Sequence, residues 1–195
     1  MTGLQVLSEA RASDDVQVRE LEIGDPAPGF EELLGVDGRR YGMSSFADAR
    51  VLVVIFTSNR CPTVKAYQER LSGLHAQYGP RGVQLVAINS NDPHLYPDES
   101  YERMVEFARE SGYDFPYLHD EGQHVGRAYG ARRTFHAFAL DERRRVQYQG
   151  RFDDSRLPER VTSPDLRNAL DDMLAGREPR VASTKPFGCS LDYVA

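Results

Sequence analysis

The amino-acid sequence predicts an α/β protein in which a mixed central sheet is flanked by helices. Three observations carry the prediction. The segment 51–57 (VLVVIFT) is an unbroken run of β-branched and aromatic residues, and 83–89 (VQLVAIN) is a second. Runs of this kind fit strands covered on both faces. Each is followed by a stretch whose apolar residues recur at spacings of three and four, as on one face of a helix. The stretch 136–151 alternates around a polar turn, which adds an antiparallel hairpin to an otherwise parallel plan.

The elements follow in chain order. Residues 16–21 (VQVREL) alternate and predict a short strand, and the Pro-rich 25–29 (DPAPG) breaks the chain after it. A turn at 35–38 (GVDG) precedes Arg39–Tyr41. The first helix is expected over Pro62–Tyr78, with Val64, Tyr67, Leu71, Leu74 and Tyr78 on its inner face. Proline suits its first position, and Gly79-Pro80 stops it. A second helix, 100–111, carries Met104, Val105, Phe107 and Ala108 inward. A last helix is capped by Ser163-Pro164, carries Leu166, Leu170, Met173 and Leu174, and ends at Gly176. The tail 177–195 has no periodicity but contains Phe187, Cys189, Leu191 and Tyr193, so it is expected to dock on the domain. The organisation read from this pattern is an N-terminal extension (1–22), one domain (23–176) and a packed tail (177–195).

Composition narrows the function classes. The chain of 195 residues is 40% hydrophobic and 28% charged, which is ordinary for a globular domain. Its net charge of −6 argues against a nucleic-acid surface, which needs clustered positive charge. The run Arg143-Arg144-Arg145 follows Asp141-Glu142 and reads as a solvated hairpin tip. No stretch has the apolar length of a membrane span or of a signal-peptide core, so the expected compartment is the cytoplasm. Two cysteines in that compartment read as free thiols or a working redox pair. Neither Cys61 nor Cys189 has a second Cys or His at ligand spacing, so no metal and no other cofactor is expected.

Cys61 carries the sharpest chemistry. It stands just before the first residue of a helix, at the carboxyl end of a central strand, where open α/β sheets place their ligands. Free N–H groups and the positive end of the helix dipole favour a thiolate there, and Arg60 beside it acts in the same sense. The competing reading is a buried structural cysteine. Asn89, Asn91 and Asp92 close the second strand near this loop and read as Asx caps. His119-Asp120 and Asp153-Asp154 offer a proton relay or, more simply, turn caps.

The stretch 53–71 (VVIFTSNRCPTVKAYQERL) resembles the active-site segment of a bacterial thioredoxin-like family. That family is related to the alkyl hydroperoxide reductase/thiol-specific antioxidant superfamily, or redoxins, and its usual loop reads F-T-C-N-H-C-P-x-V-K-A. The resemblance continues through 82–93 (GVQLVAINSNDP), 115–123 (FPYLHDEGQ), 128–131 (AYGA), 150–154 (GRFDD) and 188–191 (GCSL). It implies a thioredoxin-like fold and thiol chemistry, with Thr57, Ser58, Asn59, Arg60 and Cys61 forming the active loop. Arg133, Thr134 and Phe135 then face the substrate.

The departures bear on activity. Ser58 stands where the family has its first loop cysteine, which makes the loop S-x-x-C, and Arg133-Thr134-Phe135 replaces a Cys-Thr-Pro. A cis peptide is costly without proline, so a trans bond or a local rearrangement is expected at Phe135. By the same resemblance Cys189 is either a small residue of the docked tail or the resolving partner of Cys61. Two classes of function follow. One is a thiol-dependent oxidoreductase in which Cys61 attacks a peroxide or a disulfide, Ser58 donates to its thiolate, and Cys189 or an external thiol donor completes the cycle; its partners are a peroxide, a small thiol or a protein disulfide. The other is a redox-inactive binding or assembly protein, or a biosynthetic enzyme reusing the cleft.

Overall fold

The computed structural model describes residues 21–194. Eleven elements follow in order: β1 (Leu33–Gly35), β2 (Arg40–Tyr41), β3 (Val51–Thr57), α1 (Pro62–Tyr78), β4 (Val83–Asn89), α2 (Tyr101–Glu110), β5 (Tyr117–His119), α3 (His124–Ala128), β6 (Ala137–Leu140), β7 (Val146–Gly150) and α4 (Asp165–Leu174). The seven strands form one sheet in the order β2-β1-β5-β4-β3-β6-β7. Strands β3, β4 and β5 are parallel, and the other neighbours pair antiparallel. The mixed α/β architecture is the expected one.

Strand β3 is central, and all seven of its residues are buried. Successive side chains of a strand point to opposite faces, so the run feeds two cores. Val53 and Ile55 join one layer with Tyr67 and Leu71 of α1, Met104 of α2 and Leu170 of α4. Leu52, Val54 and Phe56 join the other with Phe30, Phe46, Val125, Phe138 and Leu191. Helices α1, α2 and α4 therefore cover one face, while α3, the loops before β3 and the tail cover the second. Ser100 caps α2 by accepting the Arg103 amide, as its residue type favours.

The structure departs from the sequence reading in several places. The strand expected at 16–21 lies, apart from Leu21, outside the described residues. The short elements β1, β2, β5 and α3 were not anticipated. At three, two, three and five residues they are too brief to show a period. Val105 and Phe107 of α2 are only partly covered. The basic hairpin tip is not simply solvated. Arg144, at φ +57°, turns inward and donates to the carbonyls of Phe46 and Ala49 at 2.5 and 3.1 Å, while Arg145 donates to Gly24 at 2.8 Å. The tip thus fastens the loops in front of β3, whose carbonyls lie outside the sheet ladder.

The chain after α4 runs back across the domain. Gln149 of β7 donates to Ala182 and accepts from Thr184, so the tail covers the edge of the sheet. It then reaches the carboxyl end of β3 at residues 188–194.

Candidate active site

Cys61 is the N-cap residue of α1, with Pro62 behind it, and is 1% exposed. The first amides of α1 have no intrahelical acceptor, so the sulfur sits at the positive end of the helix. Its Sγ is bonded to Cys189, with Cα atoms 6.1 Å apart and 128 residues between them in sequence. That Cα separation lies within the ordinary range for a disulfide. Cys189 is half-buried.

Thr134 stands between the two cysteines. Its Oγ1 is 3.4 Å from Cys61 Sγ and accepts the Cys189 amide at 3.0 Å. With its oxygen accepting from Cys189, the hydroxyl proton is free to point at the Cys61 sulfur. The backbone adds a second tie, since the Thr134 amide donates to the Cys189 carbonyl at 2.8 Å. Described peptide bonds are all trans, and Phe135 takes the left-handed φ of +59°. The rearrangement expected for the missing proline is therefore present. The Phe135 side chain is 2% exposed and packs in the core on Tyr67, at 4.7 Å between ring centroids. Thr57 is likewise fully buried. At these two positions the side chain is covered, in contrast to the exposed Arg133 beside them.

Beneath the loop lies Glu99, a fully buried carboxylate that sequence reasoning did not single out. It accepts the Ser58 hydroxyl, the Asn59 amide at 2.8 Å and the Asn89 side-chain amide at 2.8 Å. Nothing in a Pro-Asp-Glu-Ser stretch marks such a residue, because the topology alone carries it under the loop. Ser58 has one proton and spends it on Glu99, while its oxygen accepts the Cys61 amide at 3.2 Å. The expected donation from Ser58 to the thiolate is thus replaced by a structural relay: Cys61 amide to Ser58 to Glu99.

The remaining residues brace this centre. Asn59 accepts from Tyr117 at 2.7 Å and donates to Asp98 at 2.8 Å, so its side chain is committed. Burial raises the Tyr117 pKa, which keeps the phenol a donor. The Arg60 guanidinium lies 3.5 Å over the Tyr96 ring and 3.9 Å from Glu99. Arg133 is exposed, and its guanidinium reaches the Gly188 carbonyl at 3.4 Å and the Ser190 hydroxyl at 3.3 Å. Asn89 and Asn91 close the end of β4 as read: Asn91 donates its amide to Asn89 Oδ1 at 3.0 Å and its side chain to the Thr57 carbonyl at 3.2 Å. Asp92 caps the His94 amide at 2.8 Å. Asp153 accepts from Tyr67 at 2.5 Å and from Arg70 at 2.6 Å, which anchors the ring under Phe135. Asp120 holds Ser90 and the Gly126 amide, so neither acidic pair joins the sulfur centre.

A mixed sheet that presents a cysteine at the start of the helix following its central strand defines a thioredoxin-like protein. Within that class the chain belongs to the redoxin family, whose model matches residues 22–170. Its fold is shared by a crystal structure of a hypothetical protein from Sinorhizobium meliloti 1021, 37% identical, with a TM-score of 0.84 over 91% of this chain and 97% of that one. A crystal structure of an uncharacterized conserved protein from Geobacillus kaustophilus is 39% identical, with a TM-score of 0.83 over 89% and 93% of the two chains. Among curated proteins, the chain is 31% identical over 77 residues to the thiol-disulfide oxidoreductase ResA of Halalkalibacterium halodurans. That match spans 40% of each chain, well under half of the relative's length.

Proposed function

We propose that the protein is a thiol–disulfide oxidoreductase in which Cys61 is the attacking thiolate and Cys189 its resolving partner. The observation that carries the reading is the Cys61–Cys189 bond at the N-terminus of α1, with a hydroxyl poised on the attacking sulfur. In the reduced protein the α1 amides and the Thr134 hydroxyl stabilise the Cys61 thiolate. That thiolate attacks one sulfur of a substrate disulfide and displaces the other as a thiolate. Cys189 then attacks the Cys61 sulfur, releases the substrate as a dithiol and leaves the Cys61–Cys189 bond. A thiol donor returns the enzyme to its reduced form. The likeness to ResA over part of the chain supports a disulfide as the oxidant. So does the placement of the cations: Arg60 is held by Tyr96 and Glu99, and Arg133 by the tail, rather than over the sulfur where a peroxide would need them.

The test is iodoacetamide alkylation of Cys61 against pH in a Cys189→Ser background. The expected midpoint lies below the free-thiol value of about 8.5. A midpoint at or above that value refutes the reactive thiolate and leaves the fold as a binding module.

A further inference from the structure

The tail does more at this site than deliver a second thiol. Residues 188–191 run antiparallel against 132–134 through a single β-bridge, with Arg133 opposite Ser190. The Thr134 amide donates to the Cys189 carbonyl at 2.8 Å, and the Leu191 amide donates to the Arg132 carbonyl at 3.1 Å. Leu191 fills the apolar layer beneath and is 5% exposed. If the tail leaves, it uncovers one amide and one carbonyl next to the disulfide, and the slot that Leu191 fills in the apolar layer on the other face of the sheet from Cys61. That is the arrangement that takes up an extended peptide by strand addition.

Resting on the thiol-exchange reading above, we infer that the tail is the built-in occupant of a peptide groove, and that the substrates are protein disulfides whose attacked cysteine lies in an extended Gly-Cys-x-Leu segment. The tail's own fit reads out this pattern. Gly188 has φ +155°, and a Cβ there would stand 2.4 Å from the Thr134 carbonyl oxygen and 2.5 Å from its hydroxyl. Only glycine is admitted before the cysteine. The next residue faces Arg133 and solvent, and the one after it needs an apolar side chain of leucine size.

The exchange balances without a further reagent. Cys61 thiolate attacks the groove cysteine, the partner's second sulfur leaves as a thiolate, and a mixed disulfide occupies the place that Cys61–Cys189 holds in the structure. Cys189 thiolate then attacks Cys61 Sγ and the groove peptide leaves as a thiolate. The tail docks again, so the protein has lost two electrons and the partner has gained them. Because the tail is tethered, its local concentration is of millimolar order, and it competes with any partner for the groove.

The probe is a blocked Pro-Phe-Gly-Cys-Ser-Leu-Asp peptide carrying a pyridyl disulfide on its cysteine, with release of pyridinethione as the readout. Three full-length proteins are compared: Cys189→Ser, which keeps the tail; Gly188→Val with Cys189→Ser; and Leu191→Asp with Cys189→Ser. The last two dislodge the tail by independent means. The expected result is that both opened proteins react faster than Cys189→Ser by roughly tenfold or more, the ratio set by one buried apolar side chain. Peptides with Val for Gly, or Asp for Leu, should lose that advantage. Equal rates for the three peptides, or no gain on opening the tail, overturns the groove. An intermolecular Cys61–Cys189 dimer formed by the oxidised wild type assigns the groove to a second copy and overturns it as well. A small aromatic disulfide, which needs no groove, separates the two levels of the argument. If it modifies Cys61 while the peptides are not discriminated, the groove is wrong and the thiol chemistry stands; if it fails too, both fall.

Discussion

Replacing Glu99 by glutamine removes one oxygen from a carboxylate that is fully buried and holds three close donors. The retained oxygen can still accept from Asn59 and Asn89, which share Oε2 in the native site. The new NH2 then faces the Ser58 hydroxyl and the Arg60 amide, both of which donate there. Ser58 can turn to accept from it, but its oxygen already takes the Cys61 amide, and its own proton is left without an acceptor. One charge-assisted hydrogen bond is lost, worth about 1.5–3 kcal/mol, and a buried donor is orphaned. Neutralising a buried charge returns part of its desolvation cost, so the net loss is placed at about 2–4 kcal/mol. For a domain of this size that lowers Tm by roughly 5–15 °C. The assay is thermal unfolding followed by circular dichroism, with Glu99→Asp as the variant that keeps the charge. A shift under about 2 °C, or a stabilisation, would refute the claim that Glu99 holds the loop.

The other predictions concern the tail and pH. The Cys61–Cys189 bond links residues 128 apart, so its reduction should lower the unfolding free energy by about 4–5 kcal/mol through the entropy of the unfolded chain. Urea titrations with and without a phosphine reductant measure this. Cys189→Ser should match the reduced protein, and a loss below about 1 kcal/mol would contradict the pairing. His136 has its pKa lowered to about 4 by burial, from a value of about 6.5 in the unfolded chain. Between these values the unfolded chain binds a proton that the folded protein refuses. Stability is therefore full above about pH 6.5 and falls by up to about 3 kcal/mol as the pH drops to about 4. His119, lowered by burial as well, acts in the same direction. His136→Gln should flatten the slope of urea midpoint against pH across this window, and equal slopes for variant and wild type would sink the account.

The long elements could be read from the sequence because their burial repeats along the chain. Val51–Thr57 and Val83–Asn89 are buried on both faces, and α1 buries one stripe, so the residue order itself records the environment. Cys61 was readable for the same reason: a strand, a short loop and Pro62 define a helix N-terminus from local signals alone. The short strands at Leu33–Gly35 and Tyr117–His119 hold no period, and the sheet makes them strands by pairing them with each other and with β4. Glu99 belongs to the same class, and so do the contacts of Thr134 with both cysteines. Glu99 lies about forty positions from Ser58, and Thr134 is separated by 73 from Cys61 and by 55 from Cys189. No spacing rule relates such residues. What brings them together is the burial of two apolar layers on a common sheet, which carries polar side chains along as passengers and then requires each to find a partner. Local periodicity thus determined the long strands, the long helices and the place of Cys61 at a helix N-terminus, while chain closure decided that Ser58 answers to Glu99 and that Cys189 meets Cys61.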